Sequence, residues 1–196
     1  VGNATLTYEK KNEFNFGFDA GLWQNRIGIS FDVYTRNNFD EMGIMVTQGL
    51  GGEVERAANV AEMRSNGMEL SISSTNIKKK DFSWTTSFVY SYTNTEITKL
   101  FNSGNVISLV SGTGFPKRGY PARALFSIPF VGINDEGVPM VINEKGQVTT
   151  DDINFQERTN TDFLKYEGPT DPKFTGSLGN IFSYKNFHLN LFLTYS

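Results

Sequence analysis

The sequence predicts an all-β fold: antiparallel up-and-down strands that form a section, about six strands, of a large transmembrane β-barrel with long extracellular loops. Three observations support this prediction. Large apolar residues alternate with small or polar residues in several segments, short turns alternate with very long connections, and the prolines fall in one of those connections.

The first predicted hairpin pairs residues 13–22 with residues 26–36 across the turn Trp23-Gln24-Asn25. The even positions of its first strand are Phe14, Phe16, Phe18, Ala20 and Leu22, and the odd positions are Glu13, Asn15, Gly17, Asp19 and Gly21. Because strand side chains point alternately to opposite faces, one face is apolar and the other is polar. Lipid outside and a wet lumen inside a barrel explain this pattern. A soluble β-sandwich alternates as well, so alternation alone leaves both folds open.

Two further hairpins repeat the pattern. One pairs residues 66–75 with 82–94 across the turn 76–81, and the other pairs 174–184 with 187–195 across Lys185-Asn186, with Phe192 out of pattern. Aromatic residues lie near the short turns, as they do in the interfacial girdles of membrane barrels. These residues are Trp23, Phe82, Trp84, Tyr184 and Phe187.

The connections at the other end of the strands are long. Residues 37–65 and 95–173 are predicted to be extracellular loops, because compact soluble domains rarely contain loops of this length. Within the second loop, residues 126–133 and 138–142 are predicted to form a hairpin around Asn134–Gly137, and a second turn is predicted at Asn143–Gly146. Prolines are excluded from central strands, and all of them lie in this loop: Pro116, Pro121, Pro129, Pro139, Pro169 and Pro172.

Composition excludes several functional classes. The chain contains 18 Lys and Arg against 21 Asp and Glu, for a net charge of −3, so a nucleic-acid partner is not expected. It has no cysteine, which rules out disulfides, zinc–cysteine sites and a cysteine nucleophile within these residues. No apolar run reaches the roughly 18 residues of a membrane helix. Val1–Thr5 has no signal-peptide pattern, and we interpret the chain as an excised fragment rather than a mature product.

No catalytic, metal or cofactor site is expected. The single histidine, His188, has neither a recognisable nucleophile nor an orienting carboxylate. The acidic pairs Asp135-Glu136 and Asp151-Asp152 lack EF-hand spacing and are interpreted as solvated loop residues. Gly49–Gly52 lacks the Lys-Ser/Thr of a phosphate-binding loop and is interpreted as a mobile loop. The chain is therefore predicted to be non-enzymatic.

Candidate cargo-contacting residues fall into two groups. The first lies on the predicted lumen face, where charge tunes selectivity: Asp32, Tyr34, Glu69, His188 and Asn190, together with Asp19. Hydrated filler is the alternative role for each of them. The second group, Tyr120 and Phe126 with Phe130 and Phe155, lies in the long loop. These rings could stack on sugars or pack the loop on itself, and self-packing is the favoured interpretation.

A further constraint concerns closure. Single-chain bacterial barrels need at least about eight strands, and open edges in lipid leave backbone groups unpaired. The predicted strands therefore belong to a larger barrel, or the fold is the soluble alternative, a β-sandwich module that binds glycans.

Several segments resemble SusC/RagA-type TonB-dependent outer-membrane transporters of Bacteroidetes. Met63-Arg64-Ser65-Asn66-Gly67-Met68-Glu69-Leu70 is similar to the family's "MRNKGVEL" segment. Other similar segments occur in the family's order: residues 8–10, 14–19, 26–27, 31–34, 80–84, 88–92, 119–121, 135–139, 168–169, 172–176, 180, 184–187 and 189. The resemblance therefore extends over nearly the whole chain.

The resemblance implies that residues 1–196 are part of one β-barrel domain of about 22 strands. It further implies an N-terminal plug and a TonB contact segment, neither of which these residues contain, and a SusD-like lipoprotein partner. The implied function is uptake of oligosaccharides or peptides across the bacterial outer membrane, in contact with outer-membrane lipid and driven through TonB.

Overall fold

The computed structural model describes residues 5–46 and 55–196. Within them the chain is almost entirely β-structure. The elements in chain order are β1 (Lys10–Leu22), β2 (Ile27–Val46), β3 (Glu55–Lys78), β4 (Phe82–Leu100), α1 (Val106–Leu109), β5 (Ala124–Ser127), β6 (Phe130–Ile133), β7 (Pro139–Ile142), β8 (Val148–Thr149), β9 (Lys165–Pro169), β10 (Phe174–Tyr184) and β11 (Phe187–Tyr195). None of the described helices is long and apolar enough to cross a membrane.

Six strands form one sheet in the order β1-β2-β3-β4-β10-β11. Strand β10 pairs antiparallel with both β4 and β11. Each strand of this sheet therefore lies beside its sequence neighbour, except that β4 and β10 are joined by the long connection. This arrangement confirms the predicted all-β, up-and-down fold.

The register of β10 divides its side chains between two faces. Phe182 lies opposite Trp84 and Leu189, whereas Ser183 lies opposite Ser83 and His188. The first face collects the large groups of β4, β10 and β11, and we call it the apolar face. The second collects mainly small and polar groups, and we call it the polar face. Phe192 lies on the polar face opposite Gly179, so its departure from the pattern is real.

The predicted extents of the two long loops are wrong. Strand β2 continues to Val46 and β3 begins at Glu55, so most of residues 37–65 is strand. The predicted mobile loop Gly49–Gly52 lies outside the described residues. The regular alternation ends near residue 36, yet the ladder continues because it is built from backbone groups, and this part of β2 contains Phe39, Met42 and Ile44 as well as polar side chains. Those side chains pair with one another: Lys10 Nζ lies 2.8 Å from Asp40 Oδ2, and Asn59 Nδ2 donates to the Thr7 carbonyl at 2.9 Å.

The second predicted loop, 95–173, is also shorter and more structured than expected. Strand β4 extends to Leu100, and the segment that follows contains α1 and β5–β9. The predicted single strand over residues 126–133 is split. Its first part, β5, pairs with β9, whereas β6 pairs with β7, and Pro129 lies between them without a backbone donor. The two predicted turns are confirmed, with Gly137 donating to the Asn134 carbonyl and Gly146 to the Asn143 carbonyl, each at 2.9 Å.

The chain divides into two compact units. Unit 1 comprises residues 1–11, 38–64 and 95–171, and unit 2 comprises residues 12–37, 65–94 and 172–196. Unit 1 has a small apolar core made of Val106, Leu109, Ala124, Phe126 and Leu164. Helix α1 contributes to this core and begins at Asn105, whose Oδ1 accepts from the Ser108 backbone N–H at 3.1 Å.

Unit 2 does not have the buried core that a sandwich requires. Its strands belong to one sheet, and the apolar face stays accessible: Phe16 is 58% exposed, Leu193 69% and Phe187 78%. A sandwich would bury these side chains against a second sheet. The structure therefore does not favour the soluble alternative.

Asn143 is the buried polar residue on which the β7–β8 hairpin depends. It is 0% exposed, its Oδ1 accepts from the backbone of Lys145 and Gln147, and its Nδ2 donates to the Asp152 carbonyl. We expect Asn143→Ala to lower the local opening free energy of residues 143–152 by about 1–3 kcal/mol, because buried groups lose their partners. Hydrogen exchange of this peptide measures the change.

Asn134→Ala is the matched control. Asn134 Oδ1 also accepts two backbone N–H groups, from Glu136 and Val138, but it is only partly buried. Its substitution should accelerate exchange less and only within residues 134–138. Equal exchange in the two variants would contradict the role assigned to Asn143.

Candidate functional site: the polar face of the sheet

The polar face of unit 2 is built from alternate residues of every strand in the sheet. A hydrogen bond of 2.9 Å between Tyr34 Oη on β2 and Thr93 Oγ1 on β4 places these two residues on the same face. Ser91 lies two residues from Thr93 on β4 and therefore on the same face, and it pairs with Thr175 on β10. Every second residue of β10 from Thr175 also lies on this face, as far as Ser183, which pairs with His188 on β11. The sequence-predicted polar positions of β2, β3, β10 and β11 therefore share one face.

The Tyr34 ring on β2 packs against Gly67 on the neighbouring strand β3. Gly67 is buried, and a Cβ atom there would lie 2.3 Å from Tyr34 Cζ. Two residues along β3, Glu69 shares the same face and is exposed. Glycine therefore allows the tyrosine to lie flat across the neighbouring strand.

A charged pair adjoins Tyr34. Arg36 donates from Nε and Nη2 to the two carboxylate oxygens of Glu13 at 3.0 and 3.3 Å. The Arg36 guanidinium carbon also lies 5.5 Å from the centroid of the Tyr34 ring. This bidentate geometry fixes the guanidinium plane, so the three residues form an ordered polar cluster.

Nearer the short turns, the polar face has an open recess of about 470 Å³. Its lining includes Asp19, Gly21, Gly28, Ser30, Ser71 and Ser73. Ser30 Oγ donates to Asp19 Oδ1 at 2.6 Å. Asp32 lies against Gly17, where a Cβ atom would be 2.6 Å from its Oδ1. Small residues thus create a depression in which a carboxylate is the principal charged group.

The remaining candidates on β11 are exposed on the same face. His188 Nδ1 lies 2.9 Å from Ser183 Oγ, and Asn190 lies opposite Ile181. Within the described ranges, no group of three His, Cys, Asp or Glu side chains could hold a metal ion. The polar face can therefore offer hydrogen bonds and scattered charge to a polar solute.

The loop aromatics lie in unit 1 and pack against each other. The Tyr120 ring centroid lies 5.0 Å from that of Phe126 and 4.9 Å from that of Tyr166. Phe126 is only 5% exposed, so its ring serves as core and cannot stack on a sugar in this arrangement. Phe130 and Phe155 remain 63% and 41% exposed. The favoured interpretation of Tyr120 and Phe126 as self-packing groups agrees with this geometry.

Lys117 is a residue that sequence reasoning missed. Its side chain is 15% exposed, and its Nζ contacts Asp162 Oδ1 and the Thr161 carbonyl, each at 3.0 Å. The ammonium also lies 5.4 Å from the Phe126 ring centroid. A cation–aromatic contact leaves no signal in the sequence, because the residues that form it come from separate segments.

Hydrogen bonds and burial shift several pKa values in unit 1. Backbone N–H groups of Asn160 and Thr159 hold the pKa of Glu157 below its usual value. The Ser127 hydroxyl and Lys165 do the same for Glu167. Burial raises the pKa of Tyr166. All of these shifts stabilise the form that is dominant at neutral pH, so none marks a proton-transfer group.

The comparisons with known proteins agree with this geometry. TonB-dependent receptor P3 of Formosa agariphila is 26% identical over 204 residues, covering 97% of this chain and 20% of the receptor. TonB-dependent receptor SusC of Bacteroides thetaiotaomicron is 28% identical over 206 residues, with 97% and 20% coverage. The solved structure of the RagAB peptide transporter matches 99% of the chain with a TM-score of 0.78 and 27% identity. The sequence and the fold are therefore similar to those of a section of SusC/RagA-type TonB-dependent receptors.

The matched region is a part of those receptors. The chain spans about a fifth of the length of the curated relatives, 20% of each, and 21% of the matched RagAB chain. No family model matches the chain. The similarity to SusC/RagA-type receptors therefore rests on these partial matches and on the fold, and it confirms the resemblance carried by residues 63–70 and the segments around them.

Close packing of Tyr34 on Gly67 gives a testable requirement for folding. We expect Gly67→Ala to reduce the folded, heat-modifiable fraction of the full receptor in the outer membrane, because the added methyl overlaps the tyrosine ring at a cost of about 1–3 kcal/mol. Tyr34→Ala removes the obstacle, so the double variant should recover most of the folded fraction. Failure of the double variant to recover would contradict the contact, as would a normal yield for Gly67→Ala.

Proposed function

We propose that the chain is a section of the barrel of a non-enzymatic outer-membrane nutrient importer that takes up oligosaccharides or peptides. The observation that carries the proposal is a single sheet with one accessible apolar face and one polar face. Lipid solvates the first face and a wet lumen the second. The SusC and RagAB matches support transport as the activity of the whole protein.

The apolar face has the composition that lipid contact requires. The whole length of β11 is exposed, and its odd positions are Phe187, Leu189, Leu191, Leu193 and Tyr195. A soluble monomer rarely exposes a contiguous apolar surface of this size. Aromatic side chains lie at the end with the short turns, including Trp84 and Phe182, whose rings stack at a centroid distance of 5.5 Å. This end corresponds to the periplasmic interface in our proposal.

The long connection would then lie on the extracellular side and meet a SusD-like surface lipoprotein. The three-stranded sheet β6-β7-β8 supports this assignment, because it exposes apolar side chains outside the main sheet. They are Phe130, Val131, Ile133, Val138 and Val148. Exposed apolar patches mark protein interfaces. Coupling to TonB would be made by an N-terminal part of the receptor that lies outside these residues.

The cargo is proposed to pass along the polar face. Asp32, Tyr34, Glu69, His188 and Asn190 supply the hydrogen-bonding groups there. Sugars and peptides both present hydroxyl or amide groups to such a surface. The RagAB match is described as a peptide transporter, which supports peptides as one of the two cargo classes.

Adjacent residues on opposite faces test the proposed membrane orientation. We expect Leu191→Arg to prevent assembly of the full receptor in the outer membrane, because a cation near the lipid midplane costs about 2–4 kcal/mol. Asn190→Arg, one residue away on the polar face, should assemble normally. Assembly is measured by outer-membrane fractionation and heat modifiability. Equal assembly of the two variants would contradict the two-faced arrangement.

The β6–β8 patch predicts a partner contact. We expect Phe130→Ser to reduce co-purification of the SusD-like lipoprotein by about tenfold, since loss of a buried aromatic anchor costs more than about 1 kcal/mol. Phe101→Ser is the matched control, because Phe101 is also highly exposed, at 71%, but lies outside the β6–β8 sheet, immediately after β4. Unchanged recovery of the lipoprotein with Phe130→Ser would exclude this patch as the contact.

A further inference from the structure

A chain of polar side chains crosses the apolar face near the short turns of unit 2. Asn180 on β10 lies opposite Thr86 on β4, and the next pair on the same face is Phe182 opposite Trp84. Asn76 on β3 extends the chain through a contact of 2.6 Å between its Nδ2 and Thr86 Oγ1. Near the short turns, these groups interrupt a surface that is mainly aromatic and aliphatic.

The donor and the acceptor of every hydrogen bond in this row of polar side chains follow from the chemistry of the groups. Trp84 Nε1 can only donate, so the atom it meets at 3.0 Å is the Asn180 carbonyl oxygen. Thr86 Oγ1 accepts a hydrogen bond from Asn76 Nδ2 and donates one to the same Asn180 oxygen at 2.7 Å. Asn76 Oδ1 accepts in turn from Ser74 Oγ at 2.8 Å. The Asn180 amide therefore has one possible orientation.

This orientation leaves the Asn180 NH₂ group available. Its oxygen accepts two bonds, and its Nδ2 points away from Trp84 and Thr86. Nδ2 is absent from the buried side-chain atoms that lack a partner in the described parts of the chain, and Asn180 is partly exposed. The result is a preoriented two-hydrogen donor on the face that we assign to lipid.

The position of Asn180 along the strand indicates what the donor meets. It lies four residues before Tyr184, the last residue of β10, which is about 13 Å along a strand and about 9 Å in depth at a tilt of about 45°. The headgroup layer is about 5–7 Å thick, so Asn180 lies just below it, at the level of the acyl esters. Exposed lysines at the adjacent turns complement the phosphate above: Lys78, Lys79, Lys80 and Lys185.

We propose that Asn180 binds a glycerophospholipid of the periplasmic leaflet, with its Nδ2 donating to an acyl-ester carbonyl oxygen. Trp84 and Thr86 act as positioning residues, since they lock the amide orientation from the carbonyl side. The inference rests on the proposed membrane orientation of the apolar face. It adds a specific lipid contact on the outer surface of the barrel, separate from the polar face that carries cargo.

The test is native mass spectrometry of the full receptor in detergent, titrated with diester phosphatidylethanolamine and with its diether analogue. The analogue keeps the phosphate and amine but lacks the ester carbonyls. The first-bound diester lipid should bind about fivefold more tightly than the diether lipid, as one hydrogen bond implies. Equal binding of the two lipids to the native receptor would overturn the proposal, and this comparison requires no variant.

Two variants localise the effect. Asn180→Leu should weaken diester binding about fivefold and abolish the preference over the diether lipid. Asn180→Asp keeps the acceptor for Trp84 and Thr86 but loses both hydrogens, so it should lose the same preference. Asn15→Leu, the same change on the polar face, should retain it. An unchanged preference in both Asn180 variants would place the lipid elsewhere.

The outcome is separable from the proposed function. Outer-membrane fractionation of the native receptor is carried out on the same preparation. A receptor absent from that fraction contradicts the membrane proposal itself. A receptor that is inserted and folded but shows no ester preference contradicts only the lipid site.

Discussion

The rest of the structure depends on a continuous antiparallel ladder whose side chains alternate between two faces. Backbone hydrogen bonds hold β1, β2, β3, β4, β10 and β11 in one sheet, and the register aligns the alternation from strand to strand. A slip of one residue would exchange the faces of a strand. Close contacts between neighbouring strands oppose such a slip. The ring of Tyr34 packs on Gly67 and that of Tyr195 packs on Gly176, where a larger residue would overlap the ring. The ladder thus determines both what contacts lipid and what contacts solute in the proposed importer.

The sequence predicted the strands wherever alternation was strong, and it failed where other forces hold the ladder. The last hairpin, 174–184 with 187–195, was predicted with the observed bounds. Strands β2 and β3 were predicted too short, because the regular alternation ends near Arg36 and the added length is held by backbone pairing and by polar pairs such as Lys10–Asp40. Within the site, the alternation of side chains along each strand correctly placed Tyr34, Glu69, His188 and Asn190 on one face. It could not reveal the Arg36–Glu13 pair or the burial of Lys117, which depend on the three-dimensional register.

Polar groups in this chain serve different purposes according to their surroundings. Buried Asn143 stabilises a hairpin by satisfying backbone groups in unit 1, whereas Asn180 satisfies neighbouring side chains and leaves one group free on the apolar face. An unsatisfied polar group is costly in an apolar medium. In lipid, the NH₂ group of Asn180 therefore requires an acceptor, and in our proposal a lipid ester oxygen at the depth of Asn180 in the bilayer supplies it. The same physical cost explains why Trp84 and Thr86 are both bonded.

The most direct test of the two-faced sheet is a nitroxide scan of residues 187–195 in the full receptor, reconstituted in lipid. Each residue is replaced in turn by cysteine, spin-labelled and measured for collision with oxygen, which partitions into lipid, and with a water-soluble nickel complex. The expected result is a period of two, with oxygen access highest at odd positions and nickel access highest at even positions. High nickel access at both odd and even positions, or an inverted pattern, would contradict the assignment of one face to lipid and the other to water.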